Sequence, residues 1–177
     1  MTFSTDEYSI AVYTAEIPVI LEYCRQRAVF VDEKGMHDDG TVVYIIVAKS
    51  FPNADYRILG FKSSPVNVSG FAPAINYEPS TQVLFIGAGA VVKVFDLLNT
   101  RMIFEKNDSF GFWGWNRYGN YIVQQEELAV GIFNLRGEQL WEAAVEPPYD
   151  LEFDGDIITI KYEDVVDKRN LSSEKMV

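Results

Sequence analysis

AVVKVFDLLNTRMIFE, residues 90 to 105, is answered by LAVGIFNLRGEQLWE, residues 128 to 142. Phe95 falls on Phe133, Asp96 on Asn134 and Leu97 on Leu135, a spacing of about 38 residues, within the range that repeat architectures use for one supersecondary unit. Each copy reads as two short apolar runs, rich in β-branched and aromatic residues and broken by a polar turn. Runs of that length and composition are strands rather than amphipathic helices.

The same organisation extends outward from these copies. From about Phe71 an aromatic-containing segment (AINY, GWNRY, LEFDG) is followed by a β run (QVLFI, YIVQQ, DIITIKY), then by a run ending in Phe-Asp-Leu or Phe-Asn-Leu, and last by one ending in Ile-Phe-Glu or Leu-Trp-Glu. The copies cover residues 71–108 and 109–146, and a partial third covers 147–163, expected to stop after its second strand. The remainder, 164–177, is charged and polar and reads as a tail. Upstream, Tyr8 to Tyr13, Ala28 to Val31, Thr41 to Ala48 and Tyr56 to Phe61 are further strand candidates. Asp39-Gly40, Gly119-Asn120, Arg136-Gly137 and Asp154-Gly155 supply the positive φ that tight turns need. One helix is expected, over Glu16 to Arg27, with Pro18 in its first turn and Val19, Tyr23 and Cys24 on one face; VILEY within it would serve equally as a strand. Residues 1–163 therefore read as a single all-β domain with at most one short N-terminal helix.

Four successive antiparallel strands of this kind resemble one blade of a β-propeller. The ending IFNLRGEQLW in particular is similar to blades of the pyrroloquinoline-quinone enzymes and, more loosely, of WD-repeat proteins. The resemblance covers residues 71–163 and implies blade shape; it carries over no functional residue. A propeller of six to eight blades needs on the order of 240 residues or more. The resemblance therefore implies either a small or incomplete propeller with a diverged N-terminal half, or meanders packed as a two-sheet β-sandwich.

Composition excludes several classes of function. The net charge of −11 repels phosphate backbones and anionic headgroups, which argues against nucleic acid and membrane surfaces and for a basic protein partner. With a single cysteine, Cys24, there is no intrachain disulfide or cysteine-cluster metal site, and a reducing, cytoplasmic setting is expected. The opening lacks a secretory signal, and no apolar run approaches a membrane span.

Few constellations could carry chemistry. Gly87-Ala88-Gly89 follows an apolar strand, yet Val92 stands where a dinucleotide fingerprint needs its third glycine and a strand follows where a helix must open, so a hairpin turn is expected and no cofactor is assigned. Asp150, Glu152, Asp154 and Asp156 place oxygens at positions 1, 3, 5 and 7 of a calcium loop with Gly155 at 6, although Lys161 occupies the position of the closing carboxylate. They are the candidate metal ligands, and a half-buried strand entering an Asp-Gly turn is the competing reading. Phe110, Phe112, Trp113, Trp115, Tyr118 and Tyr121 are dense enough to form either blade core or a presented patch. From this group Phe112, Trp113, Trp115 and Tyr118 are the candidate contacts for a ligand or partner. His37 lies in a polar turn without a nucleophile motif around it, so no catalytic set is assigned.

The expected function is a non-catalytic binding protein that offers an acidic β surface and an aromatic patch to a protein partner. A small-molecule or sugar-binding module and a carboxylate- or metal-assisted enzyme are the alternatives. Incomplete repeats leave strand edges open, which a second copy in a homodimer could cover.

Overall fold

The structure is a computed structural model, and it describes all residues except 35, 37–38, 50–54, 64–71 and 174–177; His37 thus lies outside the described residues. The chain is all-β apart from one short helix, and it divides into two compact units, Met1–Gly70 and Phe71–Val177, where the sequence reads as one domain over 1–163.

The first unit is a five-stranded sheet of β1 (Thr2–Ser4), β2 (Tyr8–Thr14), β3 (Ala28–Asp32), β4 (Thr41–Lys49) and β5 (Tyr56–Ser63), in the order β1-β2-β4-β5-β3. All neighbours are antiparallel except β3, which runs parallel to β5. The central strand β4 buries the continuous run Val43 to Val47, as a strand covered on both faces must. Crossover order and a parallel edge set this sheet apart from a simple meander, which is why the blade pattern fits the first 70 residues poorly. The helix α1 (Leu21–Arg25) is five residues long, much shorter than the expected Glu16 to Arg27. So short a helix is held by packing rather than propensity: Leu21 and Cys24 are buried against Tyr44, Ile46 and Ile58. Val19 and Tyr23, expected to share the buried face with Cys24, are instead exposed.

The second unit contains three antiparallel meanders in chain order. The first is β6 (Ala74–Glu78), β7 (Val83–Ala88), β8 (Val91–Asp96) and β9 (Arg101–Lys106); the second is β10 (Phe112–Tyr118), β11 (Tyr121–Glu126), β12 (Ala129–Asn134) and β13 (Gln139–Ala144). Their backbones match in detail: each has an irregularity between its third and fourth strands at equivalent places, Val94/Phe95 and Ile132/Phe133. The third has β14 (Tyr149–Asp154), β15 (Ile157–Tyr162) and β16 (Val165–Asn170). Strand β16 occupies much of the segment expected to be a polar tail, so the third copy reaches its third strand rather than stopping at its second.

In each copy an Asp or Asn at the end of the third strand caps the turn that follows, through the amide three residues on in the first copy and two residues on in the others. Asp96 Oδ1 accepts the Asn99 amide at 2.9 Å, Asn134 Oδ1 accepts the Arg136 amide at 2.9 Å, and Asn170 Oδ1 accepts the Ser172 amide at 2.8 Å. These side-chain-to-backbone bonds hold the chain in a turn that short polar residues form by themselves. The meanders stack in series, not as a two-sheet sandwich. Val83, Phe85 and Val94 of the first meet Ile122 and Phe133 of the second. The opposite face of the second, with Val123, Ile132 and Trp141, meets Tyr149, Ile158, Ile160 and Leu171 of the third. Among the described residues no helix is long and apolar enough to cross a membrane.

Candidate functional site

The aromatic strand β10 lies between the first and third meanders and sends rings to both. Strict alternation would place Trp113 and Trp115 on one face, but a register shift between Phe112 and Gly114 reverses it. Phe112 and Trp115 consequently turn to the first meander. The Phe112 ring is fully buried over Gly87, where a Cβ would lie 2.3 Å from it, and Trp115 makes edge contacts with Phe85 and Phe133. Trp113 and Tyr118 turn the other way. Trp113 stacks on Tyr149 at 5.0 Å and 6°, and Tyr118 on Phe153 at 4.3 Å and 22°.

This arrangement corrects the expectation of a presented aromatic patch. Phe112, with no accessible surface, cannot meet a partner, and Trp113, Trp115 and Tyr118 are half-buried with a ring face or edge already taken by a neighbouring copy. A ring face stacked on tyrosine or phenylalanine is closed to a sugar. Only Phe110 of the cluster is well exposed, at 59%.

The four candidate metal ligands are likewise placed otherwise than a cation loop requires. Asp150, Glu152 and Asp154 lie at alternate positions of the extended strand β14, all exposed, with Asp156 in the hairpin turn beside Gly155 at φ +55°. An extended backbone spreads alternate side chains along a line and cannot wrap them around one ion. Among the described residues no group of three or more His, Cys, Asp or Glu is placed to hold a metal. Gly87-Ala88-Gly89 is part of the β7–β8 hairpin, with Ala88 opposite Val91.

A buried polar network between the first two meanders escaped the sequence reading. The Lys106 ammonium donates to Glu142 at 2.8 Å and to Glu126 at 3.3 Å, and Ser109 Oγ and Gln124 Nε2 both donate to Glu126 Oε1. Glu126 is 1% exposed, so this carboxylate is tolerated only because donors surround it. Burial works against the charge on Lys106, but the hydrogen bond to Glu142 and the Glu126 carboxylate outweigh it and raise its pKa. Tyr149 of the third meander donates to the Glu126 carbonyl at 2.7 Å, and burial pushes its phenol pKa well up. Arg117 pairs with the buried Glu78 at 2.7 Å, again across two copies. Glu126 stands in the polar run Gln124 to Glu127, a pattern that reads as surface, so the sequence carries little signal of its burial. These groups clamp copies together.

Two places in the second unit present charge to solvent. On the third meander Asp150, Glu152, Asp154, Asp156, Glu163 and Asp164 are all exposed, with Lys161 paired to Glu152 at 2.5 Å. At the turn end of the first two copies, Asp96, Asn99, Arg101, Arg136 and Glu138 line a polar groove of about 570 Å³.

No sequence family matches the chain, nor does any curated protein. Among solved structures it is similar to the computationally designed Ika8 protein, at 14% identity with a TM-score of 0.41, covering 83% of this chain and 50% of that one. BamB from Moraxella catarrhalis matches at 13% identity and a TM-score of 0.40, covering 85% and 50%. KlHsv2 with its loop 6CD replaced by a Gly-Ser linker matches at 11% and 0.34, covering 60% and 38%. The chain spans half or less of the length of these structures.

Proposed function

We propose that the chain is a non-catalytic interaction module whose acidic third meander docks a basic protein partner. The observation that supports this reading is the concentration of exposed carboxylates on β14 and the two turns of that meander, Asp150 to Asp156 and Glu163-Asp164. They are part of a net charge of −11, and their field attracts a cationic surface while repelling nucleic acid and acidic membranes. Rings on β10 contribute by fixing the meanders to one another, so the surface is held rigid rather than supplied by aromatic side chains.

The reading is tested by affinity capture from cell extract with the whole chain as bait, at about 50 mM and about 500 mM salt, since exposed charge pairs are screened over roughly 10 Å at 0.1 M. A triple variant, Asp150→Asn, Glu152→Gln and Asp154→Asn, serves as the control. The expected result is retention of a basic protein that falls with salt and with the triple variant. Identical capture by both baits at both salt concentrations would contradict it.

A further inference from the structure

We propose that the groove at the turn end of the first two meanders binds a short-chain dicarboxylate, with one carboxylate on Arg101 and the other on Arg136. The site lies on the two four-stranded copies, and it does not depend on what the acidic third meander docks.

The groove is held in shape from within the chain. Its volume, about 570 Å³, is in the range of small-molecule sites. One side is the turn after β8, with Asp96, Asn99 and Arg101, and the other is the turn after β12, with Arg136 and Glu138. Val83, Met102 and Ile103 give it an apolar lining. The second turn is pinned to the first copy at two points. Thr81 Oγ1 donates to the Leu135 carbonyl, and Gly137, at φ +83°, lies so close to the first copy that a Cβ would come 2.6 Å from Val94 and 3.0 Å from Ile103. A left-handed glycine pressed on packed side chains fixes the backbone between Arg136 and Glu138.

The hydrogen-bonding capacity that the fold leaves unused in this groove is concentrated in two guanidinium groups. Asp96 is 6% exposed, and its oxygens already accept from the Asn99 amide, the Asn99 side chain and Arg101 Nε. Glu138 accepts from the Asn134 side chain at 2.6 Å, and Ser80 Oγ donates to Glu78 at 2.6 Å. Arg101 reaches Asp96 through Nε alone, at 3.3 Å, and its side chain is 68% exposed, so the two terminal nitrogens face solvent. Arg136 uses only its backbone amide; among the described residues its side chain has no hydrogen bond or ion pair. A guanidinium fork matches a carboxylate with two parallel hydrogen bonds. Two such forks in one groove with an aliphatic lining fit two carboxylates joined by a few methylenes, whereas inorganic phosphate has no carbon chain to lay on Val83, Met102 and Ile103. The net charge of −11 disfavours any anion at long range, so affinity has to come from these local contacts.

The test is titration of the isotope-labelled whole chain with succinate, glutarate and adipate, read by amide chemical shifts, with butyrate and inorganic phosphate as comparison anions. Each is taken to about 10 mM at about 50 mM salt. At least one dicarboxylate is expected to shift the amides of residues 99–103 and 136–138 and to bind at least about tenfold tighter than butyrate or phosphate. Arg136→Gln breaks no bond within the chain and is expected to weaken that dicarboxylate at least about tenfold, as is Arg101→Gln. Arg136→Lys, which keeps the charge and loses the fork, is expected to recover only part of the loss. If Arg101→Gln does not fold, Arg136→Gln decides. Absence of shifts at these amides, equal affinity for butyrate or phosphate, or unchanged binding by Arg136→Gln would each overturn the inference.

Discussion

The indole of Trp113 lies flat on the ring of Tyr149, 5.0 Å away and within 6° of parallel, so the second meander is joined to the third by an aromatic stack. The Tyr149 hydroxyl continues the link by donating to the Glu126 carbonyl at 2.7 Å. Such a stack is worth about 0.5–1.5 kcal/mol beyond the area it buries. Trp113→Ala should therefore lower the urea midpoint by the equivalent of about 3 kcal/mol, and Tyr149→Phe, which keeps the ring and removes the hydroxyl, by about 1 kcal/mol. Equal losses in the two variants would mean that the stack is not the main link.

Lys106 and Glu126 should show strong non-additivity. Lys106→Met leaves the Glu126 carboxylate buried with only neutral donors, and removing one partner of a buried pair costs about 3–5 kcal/mol. Glu126→Gln in the same chain should restore much of that loss, because no uncompensated charge is then left inside. A double-mutant cycle by denaturant unfolding measures this; simple additivity of the two single changes would contradict the network described here.

Asp96 offers a pH test with a built-in control. Burial alone would raise its carboxyl pKa, but hydrogen bonds from the Asn99 side chain and amide, with Arg101, bring it below the ordinary value of 3.8. A folded value below the unfolded one stabilises the fold above the unfolded pKa, and that contribution is lost as pH falls through the folded value. The other copies carry asparagine at this position, Asn134 and Asn170, so Asp96→Asn is compatible with the turn. The variant should lose less stability than the parent between pH about 4 and pH about 2. Parallel pH profiles would show that Asp96 is not held in this way.

Two glycines in the second unit differ in the space around them. At Gly87 a Cβ would come 2.3 Å from the buried Phe112 ring, whereas at Gly114 nothing lies within 4 Å. Gly87→Ala should cost more than about 2 kcal/mol because a close-packed ring has nowhere to move, and Gly114→Ala should fold as well as the parent. Thermal unfolding of the two variants distinguishes them.

Strand identity was widely legible in the sequence because short apolar runs between turn dipeptides leave little choice. Every strand candidate, from Tyr8 to Tyr13 through Ile157 to Tyr162, lies on an observed strand. β16 was missed because Asp167, Lys168 and Arg169 interrupt its apolar pattern, and their acceptability depends on pairing to β15 and on Asp167 reaching Arg169. The helix was overextended because Val19 and Tyr23 fit a helical face that tertiary packing does not use. For the aromatic strand the obstacle was a register shift. Composition shows six rings, but the irregularity at Phe112/Gly114 decides which neighbour each one meets, and it closes the patch between copies. Asp150, Glu152 and Asp154 show the limit of spacing arguments, since the same alternation serves a cation loop and an exposed strand face.

Amide hydrogen exchange of the free chain, resolved by residue, tests most directly whether the third copy is a meander like the other two, with β16 paired to β15. Val91–Asp96 and Ala129–Asn134, flanked by strands on both sides, should be protected at every amide, and in Val165–Asn170 the alternate amides that face β15 should be slow. Fast exchange throughout β16 would contradict this account.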